Sequence, residues 1–119
     1  MTSSFTICGE EIRAGSKAQV DIPLGVLPSL HDLDMHVLVV HGHEPGPALF
    51  LSAAIHGDEI NGIEIVRRVL DQVDPSKLRG TLIGVPIVNV FGFIRESRYM
   101  PDRRDLNRSF PGSKRGSLA

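Results

Sequence analysis

An α/β fold built on a strand–helix–strand unit is what this sequence predicts, and three observations predict it. An apolar run at 48–55 reads as a strand. The next stretch, 59–73, changes to helical period. A second apolar run at 80–89 then returns to strand character. Such a unit over about 40 residues is a βαβ crossover, right-handed by default.

The elements follow in order. Phe5/Ile7, Ala18/Val20/Ile22 and the Pro23-Leu24-Gly25-Val26-Leu27-Pro28 segment predict short strands and turns over the first 30 residues. Met35–Val40 and Ala48–Ile55 are two apolar runs, and the second, nearly all apolar, predicts a strand covered on both faces. The intervening His41-Gly42-His43-Glu44-Pro45-Gly46-Pro47 reads as a solvated hairpin loop, because two prolines lack N–H donors and the glycines bend freely. Ile60, Ile63, Val66, Leu70 and Val73 recur at steps of three and four, with Glu64, Arg67, Arg68 and Asp71 opposite them. They predict a helix from Glu59 to Val73, capped by Asp58 and stopped by Asp74-Pro75-Ser76. Pro86 suggests that the next strand lies at an edge or ends there. After Asn89 the periodicity disappears, which predicts an irregular end without strand or helix and a chain resembling the front part of a larger α/β domain.

Composition narrows the function. The chain has 119 residues, enough for one small domain, and 13 Lys+Arg against 14 Asp+Glu give a net charge of -1. No global field exists to hold nucleic acid, so any anion recognition is local. The start Met1–Phe5 lacks a signal peptide's basic and apolar regions, and no apolar run approaches the roughly 20 residues of a membrane span. A single cysteine, Cys8, excludes an internal disulfide and reads as a small buried hydrophobe. A cytoplasmic protein without membrane or nucleic-acid partner is the expectation.

Two constellations carry chemistry. His-x-x-Glu occurs at His41/Glu44 and at His56/Glu59. The first runs into Pro-Gly-Pro and nothing fixes it. The second joins a strand end to a helix start, so an imidazole nitrogen and a carboxylate could converge beyond the carboxyl ends of the strands, where ligands bind in open sheets. Such a pair suits zinc, or it serves only the start of the helix. Gly57 permits the tight turn, and Asp58 is placed to orient a ligand. The second constellation is 98–112, where Asn107-Arg108 sets an amide beside a guanidinium fork, the chemistry that clamps a carboxylate. Leu106 and Phe110 are its expected apolar anchors, and a solvated basic loop is the plainer alternative.

Together, His56-Gly57-Asp58-Glu59, Asn89, Arg98-Tyr99 and Asp105-Leu106-Asn107-Arg108-x-Phe110-Pro111-Gly112 resemble the succinylglutamate desuccinylase/aspartoacylase family, relatives of the zinc carboxypeptidases. The likeness covers residues 35–116. It implies that 1–119 is the N-terminal portion of one zinc-carboxypeptidase-like α/β catalytic domain with a mixed sheet. It also implies His56 and Glu59 as zinc ligands, Arg98 facing the carbonyl oxygen (with Arg103 or Arg104 as competitors), and Asn107 with Arg108 holding a substrate carboxylate. The implied reaction is zinc-dependent hydrolysis of the amide bond of an N-acyl amino acid. Family members carry a third ligand, a His, and a catalytic Glu further along, and the sequence reaches Ala119 before either. The chain by itself is therefore expected to bind zinc weakly and turn over nothing. A carboxypeptidase-like peptidase and a non-catalytic carboxylate-binding module are the rival readings.

Overall fold

The computed structural model describes residues 3–119, so Met1 and Thr2, part of the start read above, lie outside it. The described residues form β1 Phe5–Ile7, β2 Glu10–Ile12, β3 Ser16–Val26, β4 Asp32–His41, β5 Glu44–Ser52, α1 Asn61–Gln72, β6 Arg79–Val85, α2 Val90–Ile94 and a 3-10 turn at Leu106–Arg108. β1 and β2 make a small antiparallel hairpin. The main sheet has the order β3-β4-β6-β5, with β5 and β6 parallel and the other neighbours antiparallel. The fold is thus α/β with a mixed sheet, and β5-α1-β6 is the expected crossover unit.

Two strand expectations are corrected. β4 and β5 do not pair as a hairpin, because β6 lies between them. Gly42 and Gly46 press against the 78–80 backbone too closely to leave room for a Cβ, and the Gly42 N–H donates to the Gly80 carbonyl at 2.8 Å. This close approach lets β6 enter the gap. β5 is also not covered on both faces: it is the sheet edge, with Leu49 63% and Phe50 59% exposed. Its Pro45 and Pro47, which cannot donate to a ladder, suit an edge position. β6, buried along most of its length, takes the centre and ends just before Pro86, as anticipated.

Side chains from neighbouring positions go to opposite faces of the sheet. Val40 and Leu82 meet Val66 and Leu70 of α1, while Val37, Val39, Val20 and Val85 pack with Ile12 of the β1–β2 hairpin. Each fully buried valine or leucine contributes about 1.5–3 kcal/mol of transfer free energy, so α1 is held chiefly by its Val66/Leu70 stripe. Glu64 accepts from Arg67 and Arg68 at 2.7–2.8 Å on the solvent side. Lys17 Nζ donates to the Leu70 and Asp71 carbonyls at 2.9 and 2.7 Å, satisfying acceptors that the end of a helix leaves open.

The helix starts later than its periodicity predicts. Ile60 occupies the cap position without a side-chain bond, and Asp58 is exposed and caps nothing. The backbone before it is committed elsewhere, since the Glu59 N–H closes a turn onto the His56 carbonyl at 3.1 Å. The expected stop holds: Asp74 Oδ1 accepts from the Ser76 N–H and hydroxyl. After Asn89 the chain is not wholly irregular, because the Asn89 side chain caps the short α2 by accepting from the Gly92 N–H at 2.8 Å. Cys8 is exposed rather than buried, since the β1–β2 turn places it at φ 51, away from the core. No helix of the described residues is long and apolar enough to cross a membrane.

Candidate functional site

The ends of β5 and β6 converge on one buried asparagine. Beyond Ser52 the chain stays in register with the segment after β6, through Ala53 N–H to Val85 O, Val88 N–H to Ala53 O and Asn89 N–H to Ala54 O. Asn89, 1% exposed, then donates from Nδ2 to the Ile55 carbonyl at 3.2 Å while capping α2. That pair of bonds ties the residues just before His56 to the helix that backs it. Gly57 is needed for proximity rather than for an unusual φ: a Cβ there would collide with the Gly92–Phe93 peptide. His56 therefore does not end the strand, as expected, but sits four residues past it in a turn fixed against α2.

The His56 side chain is 8% exposed and engages both ring nitrogens. Nδ1 lies 3.0 Å from Glu59 Oε1, and Nε2 lies 3.0 Å from Asp105 Oδ1. Asp105 is itself 11% exposed, accepts from the Asn107 N–H at 3.0 Å, and is reached by Arg98 Nη2 at 3.3 Å through its other oxygen. Arg98 also approaches Glu59 Oε1 at 3.7 Å, with its guanidinium over the Tyr99 ring. Burial pushes the Asp105 carboxyl up, but hydrogen bonds from His56 and the Asn107 amide, with the charges of His56 and Arg98, outweigh it and hold the group below the ordinary carboxylate range.

Of the residues singled out in the sequence, the structure brings His56, Glu59 and Arg98 together around Asp105. Arg98, not Arg103 or Arg104, is the guanidinium on this cluster. Arg108 reaches its edge, with Nε 3.9 Å from Asp105 Oδ2 and the side chain 76% exposed. Asn107 contributes its backbone N–H and leaves its carboxamide without a hydrogen bond among the described residues. Phe110, expected as an apolar anchor, is 65% exposed. Among the described residues Asp58 makes no hydrogen bond to His56, and the carboxylate on His56 Nε2 is that of Asp105. The signal for Asp105 was present in the sequence: an acid two residues before Asn107 caps its own turn, so its carboxylate is fixed by local backbone.

The other His-x-x-Glu separates into structural parts. His41 is buried, not in a solvated loop: Nε2 donates to the Ser3 carbonyl at 2.7 Å and Nδ1 pairs with the Thr81 hydroxyl at 2.8 Å. Glu44 simply begins β5.

The donor set at His56 suits a divalent cation in part. Two ligands about 2.0–2.2 Å from a tetrahedral zinc lie roughly 3.3–3.6 Å apart, and His56 Nδ1 and Glu59 Oε1, at 3.0 Å, need to open by only a few tenths of an ångström. Nε2 on Asp105 is the outer hydrogen bond that metal-ligating histidines usually make. Among the described residues no group of three or more His, Cys, Asp or Glu side chains is placed to hold a metal. The described residues thus offer two donors here, fewer than the three protein ligands of a catalytic zinc site.

The chain is similar to proteins of one family. The family profile described as the succinylglutamate desuccinylase/aspartoacylase catalytic domain matches residues 45–119. N-alpha-acetyl-L-2,4-diaminobutyric acid deacetylase of Halomonas elongata is 35% identical over 74 residues, which are 61% of this chain and 22% of that protein. The crystal structure of a succinylglutamate desuccinylase/aspartoacylase from Rhodobacter sphaeroides superposes with a TM-score of 0.72 at 29% identity, over 86% of this chain and 32% of that one. The product-bound ectoine utilization protein EutE (DoeB) of Ruegeria pomeroyi gives 0.71 at 29%, over 85% and 32%. The chain thus spans about a third of the length of these solved proteins.

Proposed function

The chain belongs to the succinylglutamate desuccinylase/aspartoacylase catalytic-domain family, and from that premise we propose that it forms part of a zinc-dependent hydrolase cleaving the amide bond of N-acyl amino acids. Residues 1–119 are, in this reading, the N-terminal portion of one catalytic domain. The observation that carries the proposal is His56 held at 3.0 Å between Glu59 and Asp105, with Arg98 bridging the same two carboxylates.

His56 Nδ1 and Glu59 would hold the metal. Zinc, when bound, supplies Lewis acidity to the amide carbonyl. With a metal bound, Asp105 would accept the His56 proton at Nε2 and leave Nδ1 as the ligating nitrogen. Arg98 is the guanidinium that approaches Glu59 of the ligand pair, and in this reading it would face the negative charge that develops on the carbonyl oxygen. Its bond to Asp105 fixes the guanidinium in advance, so little reorganisation accompanies the reaction. Arg108, largely in solvent, and the unbonded carboxamide of Asn107 remain available for a substrate carboxylate. Two-point capture of that group would hold the amide in one orientation beside His56 and Glu59, and its hydrolysis, consuming one water, would release an acid and an amine. The Halomonas relative's name suggests the first substrate to try, N-acetyl-2,4-diaminobutyrate.

The test is a chimera in which residues 1–119 replace the matching third of the Ruegeria protein. Hydrolysis of N-acetyl-2,4-diaminobutyrate, abolished by His56→Ala and by Glu59→Gln, supports the proposal. A folded, zinc-loaded chimera that leaves N-acyl amino acids intact and trims peptides from the C-terminus would refute it in favour of peptidase chemistry.

A further inference from the structure

We infer that the chain carries a second small-molecule site, a cavity bounded by Arg95, Ser97, Tyr99, Met100, Pro101 and Arg103 that takes a phosphate ester. The cavity encloses about 420 Å³ and shares no lining residue with the His56–Glu59–Asp105 cluster. It stands independently of the hydrolase proposal.

Charge is the first argument. Seven of the 13 Lys and Arg residues fall within 95–115, and the hydrolase site uses only Arg98 and Arg108 of them. Arg95 and Arg103 line the second cavity, and neither joins an ion pair among the described residues. No carboxylate lines the cavity either. The adjacent Asp102 is turned to the Arg104 and Ala119 N–H groups. Two guanidinium forks with no built-in counter-charge form a site for an anion and repel a cation.

Shape is the second argument. The walls are set by the backbone: Met100 N–H donates to Arg104 O, Arg103 N–H to Met100 O, and the Tyr99 N–H to Ser97 Oγ. Arg103 adopts φ 66 and Glu96 φ 51, left-handed conformations that non-glycine residues seldom take and that concentrate at binding sites. The loop is thus bent into a cup before any ligand arrives.

Ligand class follows from both. A phosphate monoester carries about -1.5 to -2 charges at pH 7 and three acceptor oxygens, which match two guanidinium groups and two hydroxyl donors better than one carboxylate does. The cavity falls within the roughly 300–1,000 Å³ typical of small-molecule sites, more than inorganic phosphate fills. Met100, 8% exposed, and Pro101 give the carbon skeleton an apolar floor.

The experiment is an amide-resolved NMR titration of the metal-free chain with inorganic phosphate and with glycerol 3-phosphate at fixed ionic strength, with succinate as a charge-matched control. Saturable shifts at Arg95, Ser97, Tyr99 and Arg103, with a Kd of about 1 mM or tighter for the ester, support the site. Arg95→Gln and Arg103→Gln should each weaken binding about tenfold, while His56→Ala leaves it unchanged. Should Arg95→Gln not fold, Arg95→Lys keeps the charge, loses the fork, and should still bind more weakly than wild type. Shifts that never saturate, equal binding of succinate, or shifts centred on Asn107–Arg108 would overturn the inference.

Discussion

Replacing Asn89 with alanine tests how the fold places the candidate metal pair. Asn89 is 1% exposed, and its side chain makes two bonds, to the Gly92 N–H and to the Ile55 carbonyl. Removing it leaves one buried donor and one acceptor unpaired, each at about 1–3 kcal/mol, so the variant should lose roughly 2–6 kcal/mol. With m near 1–2 kcal/mol/M for a domain of this size, its urea midpoint should fall by about 2 M. The same two bonds anchor the strand end that leads into His56, so zinc affinity measured in the absence of denaturant should drop as well. A loss below about 1 kcal/mol with unchanged zinc affinity would show that Asn89 does not position the site.

Three further outcomes follow from the geometry. Asp105→Asn should lower zinc affinity by about 10–100-fold through loss of the outer bond to His56, measured by competition with a chelating dye. Gly57→Ala should unfold α2 or displace it from the His56 turn, because its Cβ meets the Gly92–Phe93 peptide; amide-exchange protection at Gly92 reports this directly. The third concerns pH. Glu64 is held down to about 2, from 4.5, by hydrogen bonds from Arg67 and Arg68. A carboxyl lowered in the folded state stabilises above its unfolded pKa and loses that stabilisation as pH falls through the folded value. The stability gap between wild type and Glu64→Gln should therefore be constant near pH 7, narrow below pH 4.5 and vanish near pH 2, as read by thermal melts across that range.

The βαβ core was legible because two strong periods meet there: Val66 and Leu70 mark one helical stripe, and Leu82 and Val85 a buried strand. The order of the strands was not, since apolarity alone does not tell a central strand from an edge. Leu49 and Phe50 are as apolar as Leu82 and Ile83, yet only the Gly42 and Gly46 contacts, which are long-range, admit β6 between β4 and β5. At the candidate site, His56 and Glu59 could be picked out by spacing, because three residues of one turn suffice to bring them together. Asp105 lies 49 residues from His56, and its role depends on tertiary folding that spacing does not encode. Asn89 was visible as a strand end, while its double bonding to Gly92 and Ile55 was not.

His56 and Glu59 are proposed to act as one metal-ligand pair. Titration of the metal-free chain with cobalt as a spectroscopic stand-in for zinc, on wild type, His56→Ala and Glu59→Gln, tests it most directly. A single weak site per chain, displaced by zinc and lost in both variants, is the expected result. A cobalt spectrum and affinity unchanged in either variant would contradict it.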